Sequence, residues 1–586
     1  MSEYQHPQED SLFVLNEVIG FDQLCSEIGA FECNSELAAV VVNEAGKLGS
    51  QLLAPLNTIG DKNPPNLTAE GVQETPGYKE AYAQFVEGGW NGLTSAEEYM
   101  GQNLPNVLGT AVNEIWQSAN LAFALCPLLN QGAVAAVTEH ASDALKAEYL
   151  EKMVTGEWTG TMNLTEPDAG SDLAAIRSTA QPSGDHYLIK GQKIYITWGD
   201  HQMTDNIIHL VLARLPDAPA GVKGISLFLV PKFLRDESGT YTRRNDAHAI
   251  ALEHKLGIHS SPTCVMSFGD DQGAVGYLIG EANKGLAYMF TMMNHARQSV
   301  GLQGLSIAER ARQQSASYAR DRVQGRTKSG DKIAIIDFPD VRRMLMTQRA
   351  ATEAMRAFVL EAAAEIDRAH HTTGNSDHQT RVELYTPIVK GWMTELAQEI
   401  CSLNVQIHGG MGFIEETGAA QHLRDARILP IYEGTTGIQA LDLVGRKTLI
   451  DGGEAVNSFL AEIRATAQVA NQTEALSDLA TALNDAIDQA QQAVSAITAN
   501  DLKSGAAVSY DYLMGLGYLS GGWMLMRSAL KAKKLDSTEL YSRDFINAKV
   551  ATTEFYFDYL LPRAAAHFNL TQKGLSRLFS LNSALL

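Results

Sequence analysis

The chain has 586 residues, of which 45% are hydrophobic and 19% charged. This composition is that of a soluble globular protein, not a disordered one, and the length predicts roughly three or four structural units. The formal net charge of -22 disfavours sequence-independent binding to a phosphodiester backbone, so we expect no nucleic-acid partner.

Residues 1–40 are predicted to form an N-terminal extension. The start, MSEYQHPQEDSLFVLNEVIG, is acidic and lacks the basic, apolar and small-residue regions of an export signal. No apolar run of about 18 residues stands out as a transmembrane segment. The five cysteines are widely spaced and form no CxxC pair, which predicts neither disulfides nor a metal site. We expect a cytoplasmic protein with buried thiols.

Residues 41–157 are predicted to form an N-terminal helical domain. Ala, Val and Leu recur at helical spacing between Glu36 and Leu56, and the stretch NTIGDKNPPN that follows predicts a loop because it contains Gly and two Pro. Long runs with a 3.6-residue apolar period then extend from Gly77 to Met153. A helix, a loop and further helices are expected in this order.

Residues 158–281 have a different pattern and are predicted to form a small β domain. Short runs rich in β-branched and aromatic residues, such as HYLIKGQKIYITWGD and GISLFLVP, are separated by Gly, Pro and Asp clusters. This pattern is typical of antiparallel strands.

Helical spacing returns in residues 282–450, which are predicted to form a helical bundle domain. Leu286, Met289, Met293 and Ala296 fall on one helical face, and two more helical blocks, near 338–371 and 381–408, flank the polar linker HHTTGNSDHQTR.

Residues 451–586 are rich in Ala, Leu, Ser and Gln at helical spacing and contain no glycine-rich phosphate loop. They predict an additional helical domain for packing or assembly.

Two stretches carry the first resemblance to a known family. Residues 161–180, TMNLTEPDAGSDLAAIRSTA, contain a Thr-Glu-Pro-x-Ala-Gly-Ser-Asp signature from Thr165 to Asp172, and residues 191–200, GQKIYITWGD, contain an aromatic-x-Thr strand. Both resemble flavin-binding segments of the acyl-CoA dehydrogenase family. Taken alone, the first stretch also fits a surface turn, because Pro, Asp, Gly and Ser are turn-forming residues.

Two later stretches extend the resemblance in the order found in that family. QIHGGMGF at 406–413 resembles its second cofactor loop, and IYEGTTGIQ at 431–439 resembles its catalytic-base loop. The resemblance covers roughly residues 80–450. It implies a mainly α fold with an N-terminal helical domain, a small antiparallel β-barrel-like middle domain and a C-terminal four-helix bundle, followed here by an additional helical domain.

The resemblance implies FAD as the cofactor. A reduced flavin is stabilised by hydroxyl and backbone N–H donors, and Thr165 and Thr197 carry such hydroxyls. Tyr195 stands where many family members have Trp. The residues that the resemblance assigns to FAD are Met162, Leu164, Thr165, Ser171, Tyr195, Thr197, Arg322, Gln406, Gly409, Gly410, Thr435 and Thr436.

A homodimer is also implied, because family members complete the cofactor site with a Gln-Gly-Gly loop from a second subunit. Gln406, Gly409 and Gly410 match that loop, and Arg322 matches an Arg on the long helix. Gln324-Gly325 replaces the usual Phe-Gly after this Arg. A solvated charge on a helix face remains the alternative for Arg322.

Glu433 is the candidate catalytic residue. By itself, a carboxylate before Gly-Thr-Thr-Gly can simply complement the dipole of the following helix. The resemblance implies instead that Glu433 removes the substrate α-proton and that its backbone N–H helps to polarise the thioester carbonyl. Desolvation by the bound thioester is expected to raise the pKa of Glu433 toward neutrality, and Gly434 is expected to leave space for the acyl chain.

The substrate contacts implied by the resemblance lie on two further segments. Arg297 matches an Arg that braces the catalytic loop, and Asn294 stands where an Asp is common, although a purely structural role remains open for it. Ala296 matches the position of the base in some other members and cannot act as one. The residues assigned to substrate are Ser171, Asn294, Arg297 and Gly434.

The implied reaction is the dehydrogenation of an acyl-CoA to the trans-2-enoyl-CoA, as in β-oxidation of fatty acids, with electron-transferring flavoprotein as the electron acceptor. The length and the extra C-terminus resemble most the large subfamily that includes 3-(methylthio)propanoyl-CoA dehydrogenase. The substrate is therefore this thioester or a short-, medium- or long-chain acyl-CoA. Two alternatives are an acyl-CoA oxidase that uses O₂ and a DNA-binding flavin homologue with little activity, which the net charge disfavours.

Overall fold

The computed structural model describes residues 4–371, 376–536, 538, 540–574 and 578–585, so the predicted polar linker at 370–381 lies partly outside the described residues. The described chain is mainly helical. Its helices are α1 Gln8–Phe13, α2 Phe21–Glu27, α3 Ser35–Leu48, α4 Ala54–Lys62, α5 Tyr78–Glu87, α6 Asn106–Ala119, α7 Leu121–His140, α8 Asp143–Thr155, α9 Gly285–Asp321, α10 Pro339–His371, α11 Ser376–His408, α12 Ala419–Ala426, α13 Thr436–Val444, α14 Glu454–Asn471, α15 Ser477–Thr498, α16 Leu502–Ala507, α17 Ser509–Leu535, α18 Arg543–Tyr559 and α19 Leu561–Lys573.

The strands are concentrated between α8 and α9. They are β1 Asn66–Thr68, β2 Gly71–Gln73, β3 Trp158–Asn163, β4 Thr179–Ser183, β5 His186–Thr197, β6 Asn206–Arg214, β7 Ile225–Pro231, β8 Phe233–Arg235, β9 Tyr241–Arg244, β10 Ala247–Leu252, β11 Thr263–Phe268, β12 Ala274–Ile279, β13 Val323–Arg326 and β14 Lys332–Ala334.

The chain forms two compact units. The first, here called the helical unit, consists of Met1–Gly46, Pro105–Ser118 and Arg297–Leu586. The second, the β unit, consists of Lys47–Leu104 and Ala119–Ala296. The predicted fold of helices, a middle β domain, a bundle and added C-terminal helices is confirmed in this order.

The main sheet of the β unit has the strand order β10-β11-β5-β12-β7-β6-β3, with β4 paired to β5 and β6. The prediction of antiparallel strands holds for most neighbours, but β3 and β6 run parallel, with Trp158 opposite Asn206 and Asn163 opposite Val211. Parallel neighbours require a long connection, and residues 164–205 supply it. The Thr165–Asp172 signature therefore begins where an end strand of this order leaves the sheet.

Helix α7 packs against β3 in the core of the β unit. Gly160 allows this close approach, because a Cβ placed there would lie 2.4 Å from Cβ of Ala133 on α7. Among the described helices, α7 is long and apolar enough to cross a membrane, yet 83% of its apolar window is buried within the protein. Its apolar character is that of a core helix.

Helix α11 is held in the core of the helical unit by α17. A Cβ at Gly517 would lie 2.2 Å from Cγ of Trp392, and a Cβ at Gly391 would lie 2.7 Å from Leu513. Both glycines thus permit the two helices to approach closely. The added C-terminal segment belongs to the same compact unit as the bundle and fixes the helix that carries several charged residues described below.

One local prediction was wrong. Helix α4 continues to Lys62, through most of the predicted loop, and ends before Pro64 and Pro65. Gly60 is a packing residue, since a Cβ there would lie 2.5 Å from Oγ of Ser260. The hairpin of β13 and β14 lies between the helix predicted to end near Val323 and the block predicted from about 338, where no element was predicted.

Candidate active site

A buried ion pair fixes the Thr165–Asp172 loop in the β unit. Nζ of Lys193, on β5, lies 2.7 Å from Oε1 of Glu166 and also donates to the carbonyl oxygen of Leu164 at 3.0 Å. Oγ of Ser178 donates to the same carboxylate at 2.6 Å. Burial alone would raise the pKa of Glu166, but Lys193, Ser178 and the backbone N–H of Arg177 together lower it. The loop is therefore tied to β5 by a fully hydrogen-bonded pair.

The end of β5 presents one aromatic side chain outward and buries another. A register shift against β11 forms a β-bulge here, where Tyr195 has a φ of 60° and 62% of its surface exposed. Trp198 is buried, and its Nε1 donates to the carbonyl oxygen of Ala122 at 3.0 Å. Of the two aromatic residues, only Tyr195 is accessible to a ligand of the β unit.

The hydroxyl residues assigned to FAD lie on the same part of the β unit. The backbone N–H of Ile194 donates to the carbonyl oxygen of Thr165 at 2.9 Å, which joins the loop to β5 directly. Thr165 and Thr197 are half-buried, and Ser171 is exposed. Met162 is half-buried and Leu164 is buried. The loop and the strand thus combine accessible hydroxyls with one exposed ring, a donor set that suits a flavin.

The glycines after α11 are open to a ligand or a partner. Gly409 has a φ of 60°, and a Cβ added at Gly409 or Gly410 would meet no atom of this chain within 4 Å. Gln406 is exposed, and the neighbouring Phe413 is 87% exposed. At Gly410, packing within the described chain does not require glycine. At Gly409, the positive φ is the one feature that favours glycine.

Arg322 follows the last residue of α9 and is exposed, so it lies just beyond the helix on which it was predicted. Its backbone N–H donates to the carbonyl oxygen of Tyr318 at 2.8 Å.

Glu433 lies in a left-handed turn immediately before α13. Its φ is 53°, and that of Gly434 is 88°. The left-handed region costs a residue with a side chain about 1 kcal/mol or more and is frequent at functional sites. A Cβ at Gly434 would lie 2.7 Å from Nε2 of Gln439. The left-handed turn therefore favours glycine here, and the amide end of Gln439 would have to shift to admit a side chain.

The two threonines after Gly434 use their hydroxyls within the chain. Oγ1 of Thr435 accepts from the N–H of Ile438 at 3.2 Å and caps α13. Oγ1 of Thr436 donates to Oε1 of Glu395 at 2.7 Å. These contacts hold the Glu433 turn against α11, and their role toward FAD stays a prediction.

Two cations of the helical unit act on the Glu433 carboxyl group. Burial raises the pKa of Glu433 to about 7, although Arg297 on α9 and Lys390 on α11 oppose the rise. Burial lowers the pKa of Lys390 to about 8. Burial also lowers the pKa of Arg297. A carboxyl group that titrates near neutral pH suits a general base.

The remaining predicted substrate residue, Asn294, belongs to the β unit and is exposed. His295, its neighbour on α9, has a pKa that burial lowers to about 4. This histidine is neutral at physiological pH.

Sequence reasoning missed two buried lysines near the site residues, Lys193 and Lys390. Lys193 lies inside the recognised GQKIYIT stretch, and a charged residue on an otherwise apolar strand could have indicated an ion pair. The only signal for Lys390 is that it interrupts the apolar run PIVKGWM of α11. A buried position for that lysine could not be inferred from the run alone.

Comparison with known proteins places these features in a family. Four acyl-CoA dehydrogenase domain models match the chain: the N-terminal domain at 63–157, the middle domain at 161–270, the C-terminal domain at 283–448 and an acetyl-CoA dehydrogenase C-terminal-like domain at 459–582.

Two relatives match almost the whole chain. A 3-methylmercaptopropionyl-CoA dehydrogenase of Ruegeria pomeroyi is 45% identical over 97% of this chain and 98% of its own length. The broad-specificity linear acyl-CoA dehydrogenase FadE5 of Mycobacterium tuberculosis is 33% identical over 96% of each chain.

Solved structures share the fold at lower identity. Caenorhabditis elegans ACDH-11 in complex with C11-CoA has a TM-score of 0.76 and 20% identity, covering 94% of this chain and 92% of its own. An FAD-complexed acyl-CoA dehydrogenase of Bacillus anthracis has a TM-score of 0.75 and 21% identity, covering 92% and 88%. The chain therefore belongs to the acyl-CoA dehydrogenase family of FAD-dependent oxidoreductases.

Proposed function

We propose that the protein dehydrogenates an acyl-CoA thioester between its α and β carbons, with Glu433 as the base that removes the α-proton. The observation that carries this role is the Glu433 carboxyl group itself, which lies in a left-handed turn and has a pKa of about 7. A group with this pKa is substantially ionised near neutral pH and still basic enough to accept a proton.

The chain's own residues supply the proton transfer and its electrostatics. Glu433 accepts the α-proton while the β-hydrogen leaves as hydride, and the enoyl-CoA product keeps both bonding electrons of the α-carbon in its new double bond. Bound FAD supplies the hydride acceptor. The backbone N–H of Glu433 is assigned to the thioester oxygen, where such a donor is typically worth a few kcal/mol in the transition state.

The β unit is assigned to the flavin. Thr165 and Thr197 would donate hydrogen bonds to it, and Tyr195 would cover one face of the ring system. The Glu166–Lys193 pair supports this assignment, because it fixes the loop that carries Thr165. The other residues proposed to contact FAD are Met162, Leu164, Ser171, Arg322, Gln406, Gly409, Gly410, Thr435 and Thr436.

A homodimer is proposed as the working assembly. The open space at Gly409 and Gly410 and the exposed ring of Phe413 support contact with a second copy or its cofactor. Sedimentation of the FAD-loaded protein should give a dimer or a larger symmetric assembly. A monomer that retains FAD would remove Gln406, Gly409 and Gly410 from the cofactor site.

The proposed substrate is 3-(methylthio)propanoyl-CoA or a linear acyl-CoA of similar length, as supported by the names of the two full-length relatives. Arg297 and Gly434 are proposed to shape the substrate site beside Glu433, and Ser171 and Asn294 are also proposed substrate-binding residues. Electron-transferring flavoprotein is the proposed acceptor, and the cytoplasm the proposed location.

Anaerobic bleaching of the flavin with a panel of acyl-CoAs tests this function. Pentanoyl-CoA is the matched control for 3-(methylthio)propanoyl-CoA, because a methylene replaces the sulfur at the same chain length. Rapid bleaching by at least one saturated acyl-CoA, with slow reoxidation in air, is expected. No bleaching by any member of the panel would contradict the proposal, and fast reoxidation in air would favour an oxidase.

A further inference from the structure

We propose that Lys390 is a positioning residue for this reaction: its buried ammonium group keeps the Glu433 carboxyl ionised, so that the base is available near neutral pH. The inference rests on the proposed role of Glu433. It assigns Lys390 an electrostatic action through Glu433, with no contact to substrate or FAD.

The first observation is that Lys390 is buried without a hydrogen-bond acceptor. None of its surface is exposed, and among the described residues its Nζ has no hydrogen-bond partner. Helices α9 and α11 approach closely at the preceding residue, since a Cβ at Gly301 would lie 2.3 Å from Cγ1 of Val389. Water is therefore excluded from much of the lysine's surroundings.

The contacts on either side of Lys390 place it between α9 and the Glu433 turn. One turn before it, Oγ1 of Thr386 accepts from Nε2 of Gln298 on α9 at 3.0 Å. Just over one turn after it, Oε1 of Glu395 accepts from the hydroxyl of Thr436 at 2.7 Å. Lys390 thus lies on the part of α11 that is bracketed by these two elements.

An unpaired buried ammonium group is costly, and an apolar side chain of similar volume would usually be neutral or stabilising. Packing therefore does not account for a lysine here. A positive charge at this position would stabilise the ionised form of a nearby acid that must lose its proton to function. Glu433 is such a group, since its carboxyl interacts electrostatically with Lys390.

Other charged groups interact electrostatically within this site. They are Arg297 on α9, Glu395 on α11, Asp442 on α13 and Arg446 in the π-helical segment Gly445–Leu449.

Arg297 acts on Glu433 in the same direction as Lys390, but Arg297 is also balanced by Asp442. Glu395 already accepts a hydrogen bond from Thr436. Among the described residues, Nζ of Lys390 has no hydrogen-bond partner, so its charge is offset by electrostatic interaction with Glu433 and Glu395.

The sign of the effect follows from the two titrations. The pKa of Glu433 is about 7 and that of Lys390 about 8, so the ion pair exists between these values. Removing the Lys390 charge removes one of the two cations that oppose the effect of burial on Glu433. The pKa of the Glu433 carboxyl group therefore rises further. A smaller fraction of the base is then ionised at neutral pH.

The test is the pH dependence of anaerobic flavin reduction by the best acyl-CoA, measured in the FAD-loaded Lys390→Met variant. We expect the acid limb of the profile to move up by about one pH unit, which lowers the rate near pH 7 about fivefold and restores it near pH 9. Lys390→Arg should keep the limb at the wild-type position. Lys447→Met is the matched control, because it removes a lysine that is paired with Glu383 on α11. This substitution should not move the acid limb.

Two results would overturn the inference: an acid limb that stays in place, or a rate that falls equally at every pH. If Lys390→Met fails to fold, Lys390→Gln carries the same prediction. Glu433→Gln separates this inference from the proposed function. Normal reduction in Glu433→Gln refutes Glu433 as the base, whereas slow reduction there with an unmoved limb in Lys390→Met refutes only the role of Lys390.

Discussion

The two buried lysines of the molecule's candidate site regions make an instructive comparison. Both Lys193 in the β unit and Lys390 in the helical unit are fully buried, and burial lowers the pKa of each to about 8. Nζ of Lys193 has two acceptors, in Glu166 and Leu164. That of Lys390 has none among the described residues.

We infer that similar burial serves two purposes in these two lysines. At Lys193 the desolvation cost is offset by short, charge-assisted hydrogen bonds, so the charge is used to fix a loop. Among the described residues Nζ of Lys390 makes no such bond, and the proposed role of its charge is electrostatic, on the Glu433 carboxyl group. Hydrogen-bond partners, more than burial or pKa, distinguish a structural lysine from one that tunes a reactive group.

The largest effect on stability is expected from Lys193→Met. The substitution leaves the carboxylate of Glu166 buried without its cation, which typically costs about 3 to 5 kcal/mol. Thermal unfolding of the variant should show this loss, together with weaker retention of FAD because the Thr165 loop is released. Unchanged stability and FAD affinity would show that the pair does not fix the loop.

Two variants control this prediction. Lys190→Met changes an exposed lysine of the same strand and should shift the free energy of unfolding by less than about 0.5 kcal/mol. The double variant Lys193→Met, Glu166→Leu removes both charges and should recover much of the lost stability, because the uncompensated carboxylate is gone. FAD retention need not recover in full.

A smaller and pH-dependent effect is expected from Glu433→Gln. The pKa of Glu433 is about 7 in the folded protein and about 4.3 when unfolded. The folded state therefore binds the proton more tightly, and the wild type loses stability as pH rises between these values. The variant should be as stable as the wild type near pH 4 and more stable by about 1 to 3 kcal/mol near pH 8.

Melting temperatures of both proteins across this range provide the measurement. A stability difference that stays constant with pH, or one that shrinks as pH rises, would contradict the raised pKa.

The smallest effect is expected from Thr165→Ala. Loss of one hydrogen bond to the flavin should weaken FAD binding by about 0.5 to 1.5 kcal/mol or shift the flavin potential correspondingly. Titration of the apoprotein with FAD measures it. Thr165→Ser, which keeps the hydroxyl, is the control, and equal affinities for all three proteins would remove Thr165 from the site.

Much of the fold could be predicted from sequence because its signals are local. The change from a helical to an alternating period marks the β unit, and the Thr165–Asp172 signature and the Glu433 loop identify the family. The raised pKa of Glu433 was also expected, although desolvation by substrate was the expected cause. Burial within the chain already produces it.

The features that escaped prediction depend on tertiary contacts. The parallel pairing of β3 with β6 joins segments more than 40 residues apart. The extension of α4 depends on Gly60 packing at Ser260. The contrast between Lys193 and Lys390 depends on which acceptors the fold brings near each Nζ, and no sequence pattern specifies this.

The central claim, that Glu433 is the α-proton base, is tested most directly by single-turnover reduction of the flavin in Glu433→Gln and the wild type at saturating acyl-CoA. The amide is nearly isosteric, so folding, FAD content and acyl-CoA affinity should be retained. We expect the reduction rate to fall by a factor of about 10² to 10⁴. A variant that retains FAD and is reduced within a few-fold of the wild-type rate would contradict it.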